Sequence, residues 1–150
     1  MRTDKMGDKE YVRLQYEVEI LSNLDHPNIL RLYETYNDEK RKKFYLVTEK
    51  CEGGELFDVI MDRGSSGLTE QESAIIMKQI LSAVNYCHLM KVAHRDLKPE
   101  NILLENPDDL TTIKIIDFGT SQVFTEDQSM SQTYGTPYYI APEVCRKDYD

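Results

Sequence analysis

The stretch that most constrains this chain is His94-Arg95-Asp96-Leu97-Lys98-Pro99-Glu100-Asn101, which sets an acid five residues before an amide with a lysine between them. An Asp can accept the proton of an attacking hydroxyl, and an Asn can hold a divalent metal through its carbonyl oxygen. A Lys between them can neutralise transferring oxygens. Such a set is equipped to handle a phosphoryl group. One local match can be accidental, so the chemistry demands companions at fixed distances.

The first companion is Asp117-Phe118-Gly119, twenty-one residues past Asp96. It follows the apolar run Ile113, Ile115 and Ile116, which reads as a short buried strand. An acid at a strand end can reach a metal that bridges nucleotide phosphates. The glycine behind it lets the backbone reorient while the phenylalanine packs inward. Taken alone, Asp-Phe-Gly is more often an ordinary turn; its place after a strand and after Asp96 reverses that preference. Further on stand Gly135-Thr136-Pro137 and Ala141-Pro142-Glu143. In this order the motifs resemble the catalytic loop, the DFG motif and the end of the activation segment of protein kinases, and Lys98 points to the serine/threonine-directed kind.

The periodicity supplies a frame for these loops. Tyr11 to Asn23 carries Leu14, Val18 and Leu21 at helical spacing, and His26-Pro27-Asn28 ends that helix. Ile29 to Tyr36 and Lys43 to Glu49 read as a hairpin parted by the charged turn Asn37 to Lys42. After Gly53-Gly54 a short helix is expected around Leu56 to Met61. Arg63 to Gly67 reads as a flexible connector, and Thr69 with Glu72 forms a capping box opening a helix to about Met90. The stripe of that helix is Ile76, Ile80, Val84 and Cys87. The resemblance implies an α+β fold, a partial two-lobe kinase fold. About 11–49 form the small-lobe remainder, 50–53 the hinge, and 54–150 the mainly helical upper part of the large lobe.

Carried over residue by residue, the resemblance implies Asp96 as catalytic base, Lys98 as charge neutraliser, and Asn101 and Asp117 as Mg2+ ligands for ATP. Glu17 takes the place of the glutamate that pairs with the nucleotide-anchoring lysine, with Glu19 ranked second. Thr48 stands at the gatekeeper position, Glu49 and Cys51 offer main-chain groups to adenine, and Leu103 forms the floor beneath it. Gly53-Gly54-Glu55-Leu56-Phe57 is typical of calcium/calmodulin-dependent and calcium-dependent kinases. There Glu55, assisted by Glu100, meets a basic residue upstream of the phosphorylated hydroxyl. His94 becomes a packing residue stacked with Leu21, Leu32 and Phe118, and Arg95 the usual partner of an activation-loop phosphate. The phosphosite position falls on Gln132, a departure, with Ser129, Ser131 and Thr133 close enough to substitute.

A second departure lies upstream of Glu17, where neither a glycine-rich phosphate loop nor a strand lysine is visible. Lys5 and Lys9 are the only early candidates, and neither sits in an apolar strand pattern. The chain therefore reads as roughly half a kinase domain. Its expected function is that of a protein serine/threonine kinase using ATP and Mg2+, inactive as these residues alone. The alternative is a non-catalytic, kinase-like interaction or regulatory module. A small-molecule kinase fits less well, because Gly135-Thr136-Pro137 with Ala141-Pro142-Glu143 belongs to a protein-substrate platform.

Composition narrows the partners. A net charge of −9 disfavours nucleic acid or an anionic membrane and suits protein substrates whose serines or threonines follow basic residues. No apolar run is long enough to cross a bilayer, and no secretory h-region is seen. Cys51, Cys87 and Cys145 fit no metal or disulfide spacing, so a cytoplasmic, or nuclear, location is expected. No EF-hand loop occurs; a calcium-sensing domain would lie outside this chain and is implied by the resemblance alone.

Overall fold

The computed structural model describes residues 1, 6–125 and 129–149. Lys5 lies outside the described residues. The first helix, α1, runs Asp8–Asn23 and so begins a turn before Tyr11. The extra turn follows from Gly7, whose N–H donates to Glu10 Oε2 at 3.1 Å, and from Asp8 and Glu10, which sit where the helix dipole favours anions. Leu14, Ile20 and Leu21 are its buried residues.

The segment that leaves α1 does not continue directly into a strand. Asn28 Nδ2 donates to Gln79 Oε1 at 2.9 Å and to Ile113 O at 3.0 Å. Ile115 N–H donates to Asn28 O at 2.8 Å, and Leu30 N–H to Ile115 O at 3.0 Å. Residues 28–30 are thereby tied to the strand before Asp117, and the hairpin starts later than Ile29: β1 is Leu32–Asp38 and pairs antiparallel with β2, Lys43–Thr48. Backbone groups already committed to one partner cannot extend another ladder.

After β2 the chain passes through 50–53 and doubles back over a second hairpin, β4 (Ile102–Leu104) with β5 (Ile113–Ile115). Glu52 N–H donates to Glu105 O at 2.9 Å and Gly53 N–H to Leu104 O at 3.0 Å. Glycine is required at 53 because a Cβ there would stand 2.3 Å from Asn106 O and 2.5 Å from Leu104 Cβ.

The helix α2, Leu56–Asp62, then leads to a 3-10 turn at Gly64–Ser66. Arg63 to Gly67 is a specified turn rather than a loose connector. Gly64 and Gly67 take positive φ of 56° and 58°, and Arg63 Nη1 pairs with Glu72 Oε2 at 2.6 Å. Glu72 also completes the capping box with Thr69 that opens α3, Glu70–Leu89, and its pKa falls to about 2 through the Arg63 and Thr69 hydrogen bonds. On α3, Ile76, Ala83 and Cys87 are buried, while Ile80 and Val84 are half-buried.

A two-residue strand β3, Val92–Ala93, precedes the catalytic-loop motif and pairs antiparallel with β6, Gln122–Val123; a short helix α4 covers Pro142–Arg146. The core runs from α1 through β4 and β5 to α3. Ile29, Leu104, Ile113, Ile115 and Phe118 are its largest fully buried side chains. Complete burial of such side chains is worth ~1.5–3 kcal/mol each, and here it fixes both ends of the polar loops between them. Among the described residues no helix is long and apolar enough to cross a membrane.

Candidate active site

Two short antiparallel strand pairs, β3 with β6 and β4 with β5, hold the polar motifs. The loop between β3 and β4 carries Asp96, Lys98 and Asn101, and the end of β5 carries Asp117. Pro99 opens a 3-10 turn, Pro99–Asn101, which directs Asn101 back toward Asp96. Asn101 is buried and its Nδ2 donates to Asp96 O at 2.9 Å and to Asp96 Oδ2 at 3.2 Å. Lys98 Nζ pairs with Asp96 Oδ2 at 3.1 Å and donates to Thr136 Oγ1 at 2.7 Å. Thr136 Oγ1 in turn donates to Asp96 Oδ1 at 2.8 Å. The three predicted residues thus form one network, and Thr136 closes it from the far end of the activation segment.

That network sets protonation. Burial pushes the Asp96 carboxyl up, but the hydrogen bonds from Thr136 and Lys98, with the lysine's charge, outweigh it and hold the group below its ordinary pKa. Lys98 is raised chiefly by its hydrogen bond to Asp96. At neutral pH the pair is carboxylate and ammonium, and a carboxylate so placed can orient an incoming hydroxyl and take up its proton.

Asp117 sits at the mouth of the site in the left-handed region, φ 63°, with Oδ1 accepting from Gly119 N–H at 3.2 Å. Glu17 faces it. A Cβ on Gly119 would stand 3.1 Å from Asp117 Oδ1 and 3.5 Å from Glu17 Oε2, so the glycine keeps the space between two acids open. Burial first, and the Asp117 charge second, raise the Glu17 pKa. Among the described residues Glu17 has no cationic partner, whereas Glu19 is exposed and its amide-side neighbour Asn23 contacts only its backbone.

The donor set fits a divalent ion held jointly with phosphate. Asn101 commits its Nδ2, leaving its side-chain Oδ1 without a partner among the described residues, and Asp117 has a carboxylate oxygen to spare. No group of three or more His, Cys, Asp or Glu able to hold a metal occurs among the described residues. Mg2+ needs no such cage, since it takes one or two protein oxygens beside substrate phosphates and waters.

The hinge residues lie at the end of β2 and along the turn to α2, which is bonded to β4 and the residues that follow it. Thr48 pairs with Leu32 across the first hairpin and is half-buried. Glu49 is locked: its N–H donates to Arg31 O at 3.0 Å, its Oε1 accepts from Arg31 N–H at 2.6 Å, and its Oε2 meets Lys114 Nζ at 2.8 Å. The Cys51 N–H has no partner among the described residues, and burial and Glu49 push its thiol pKa up, away from the thiolate. Leu103 alternates away from the buried Ile102 and Leu104, opposite Lys114, and bridges Glu55. Glu100 Oε2 is buried with no hydrogen-bond partner among the described residues.

His94 packs rather than titrates. Its ring meets Phe118 edge-on at 4.8 Å between centroids, Nε2 contacts Ile116 O at 3.0 Å, and burial lowers its pKa despite that contact. Phe118 and Leu21 belong to the hydrophobic core, with Leu32 packed against it. Arg95 is already occupied: Nε donates to Thr120 O at 2.7 Å, Nη1 to Gln122 Oε1 at 2.6 Å, and its guanidinium lies over Tyr134.

Sequence reading missed two contributors. Thr136 was legible only as part of a motif, with nothing local to join it to Asp96. Lys114 did carry a signal, being a lysine inside the buried run Ile113-Lys114-Ile115, which demands an acid partner.

These loops and their order define the class. A family model for the protein kinase domain matches residues 1–150, and the chain belongs to that family. Among its relatives, calcium-dependent protein kinase 5 of Plasmodium berghei (strain Anka) is 48% identical over 147 residues, 98% of this chain and 25% of the relative. Calcium-dependent protein kinase 5 of Plasmodium falciparum (isolate 3D7) is 49% identical over 138 residues, 92% of this chain and 24% of the relative. A calcium/calmodulin-dependent serine/threonine-protein kinase 1 of Oryza sativa subsp. japonica is 44% identical over 134 residues, covering 89% of this chain and 22% of the relative. The chain therefore spans about a quarter of the length of these relatives.

Proposed function

We propose that these residues supply the phosphoryl-transfer centre of a protein serine/threonine kinase of the calcium-dependent group. The observation that carries the reading is the Asp96 carboxylate, held ionised by Thr136, Lys98 and Asn101 together. When bound, ATP supplies the γ-phosphoryl group and Mg2+ neutralises its phosphates. Asp96 aligns the substrate hydroxyl and accepts its proton, and Lys98 balances charge on the transferring oxygens. Asn101 Oδ1 and Asp117 would hold the metal, while the Cys51 N–H and Leu103 receive adenine beside Thr48 and Glu49. Glu55 and Glu100 receive a basic residue of the peptide.

The alternative reading is a kinase-like module that binds partners without turnover. A graft separates the two. The 147-residue stretch of this chain that matches the Plasmodium berghei relative replaces its counterpart there, and transfer from radiolabelled ATP to an Arg-x-x-Ser peptide is measured. The kinase reading predicts transfer that falls by at least about a thousandfold with Asp96→Asn. An inactive graft that is folded and still binds peptide supports the module. These residues on their own are expected to show no transfer above the Asp96→Asn control.

A further inference from the structure

The usual phosphosite position is Gln132, yet the activation segment is tied down at several points. Met130 N–H donates to Tyr149 O at 2.7 Å, Tyr149 N–H returns to Met130 O at 3.2 Å, and the Tyr149 hydroxyl donates to Gln132 O at 2.6 Å. A segment already held by backbone pairing has less need of a phosphate to order it.

A phosphate on such a loop acts by pairing with arginines. Here an aromatic ring meets two of them. The Arg95 guanidinium carbon lies 4.4 Å from the Tyr134 ring centroid, and the Arg13 guanidinium carbon, from α1, lies 5.9 Å from the same centroid. Both are within range of the negative face of the ring. Arg95 is fixed from behind by Thr120 O and Gln122 Oε1, so the ring is presented from a rigid base.

The same face of α1 reaches the activation segment again. Tyr16, three residues on from Arg13, accepts the Val123 N–H on its hydroxyl at 3.1 Å, and Glu17, four residues on, faces Asp117. Positions three and four apart share one helix face. Arg13, Tyr16 and Glu17 thus set α1 against the activation segment at three levels.

We propose that Tyr134 is a positioning residue that replaces a phosphoryl group, its ring bridging Arg95 and Arg13 so that α1 is held against the active site without phosphorylation. The inference rests on the kinase reading for its purpose, but its geometry can be tested without turnover. Unlike a phosphate, the ring carries no charge and needs no activating kinase.

The test is hydrogen exchange on the unphosphorylated 150-residue chain, read by mass spectrometry at α1, with no nucleotide present. Tyr134→Ala is expected to speed exchange of the α1 amides by about five- to tenfold. Arg13→Ala should do the same, and the double variant should add little further. Tyr134→Phe, which keeps the ring, should stay within about twofold of the parent. Tyr134→Leu keeps apolar volume without the ring's charge distribution and serves if the alanine variant does not fold; it should behave as alanine. Unchanged α1 exchange in Tyr134→Ala or Tyr134→Leu, or a Phe variant as fast as Ala, would overturn the proposal. A dead graft with these exchange results intact would count against the kinase reading and leave the tether standing.

Discussion

The Lys114–Glu49 pair offers the most quantitative test of how the hinge is held. The two side chains are 10% and 14% exposed and meet at 2.8 Å, joining β5 to the end of β2. Replacing Lys114 by Met preserves length and apolar volume but leaves the Glu49 carboxylate buried with only the Arg31 N–H for company. Stranding one member of a buried pair costs ~3–5 kcal/mol, a large share of the ~5–15 kcal/mol that stabilises a typical domain. In a chain of this length that corresponds to a fall in melting temperature of roughly 6–20 °C. The assay is urea unfolding followed by circular dichroism, with thermal melts alongside. Lys114→Met with Glu49→Gln removes both charges while the glutamine oxygen can still accept from Arg31, and more than half the loss should return. A cost below about 1 kcal/mol for Lys114→Met alone, the value of an exposed pair, would show that the pair is hydrated and the reasoning wrong.

Two further outcomes can be checked by the same unfolding assay. Gly53→Ala puts a methyl 2.3 Å from Asn106 O and should cost ~1–3 kcal/mol. Gly54→Ala meets open space and only a positive φ of 76°, so it should cost less, about 1 kcal/mol; the reverse order would refute the close-approach argument. For Glu17, the raised folded pKa means that its ionisation opposes folding: stability falls as pH rises from the ordinary value of 4.5 through the raised one. Glu17→Gln should therefore raise the unfolding midpoint at pH 7.5 and make no difference near about pH 4. An equal effect at both pH values would show that ionisation of Glu17 is not its cause.

What could be read from sequence was local. The α3 helix, with its Thr69 and Glu72 box and apolar stripe, and the catalytic run from His94 to Asn101 depend on residues within a turn or two of each other. The start of the first hairpin was misplaced because Leu30 bonds to Ile115, a partner no propensity in 29–31 announces. Arg63 to Gly67 looked loose from its glycines and serines, but the glycines serve positive φ and Arg63 is pinned by Glu72. Thr136 and Asp96 are 40 residues apart, and only the folded loop shows that they share a proton donor and acceptor. Arg95 was assigned to a phosphate by resemblance, whereas its partners here are a carbonyl, an amide and an aromatic ring.

The central claim, that the hinge and the two polar loops form one Mg2+-dependent ATP site, is tested most directly by NMR titration of the isotopically labelled chain with ATP and Mg2+. Shifts are expected at the Cys51 amide, the Asn101 side-chain amide and the Asp117–Gly119 backbone. Those at Asn101 and Asp117 should be lost when EDTA removes the metal, and again in Asp117→Asn. Shifts confined to surface lysines, or identical with and without Mg2+, would contradict it.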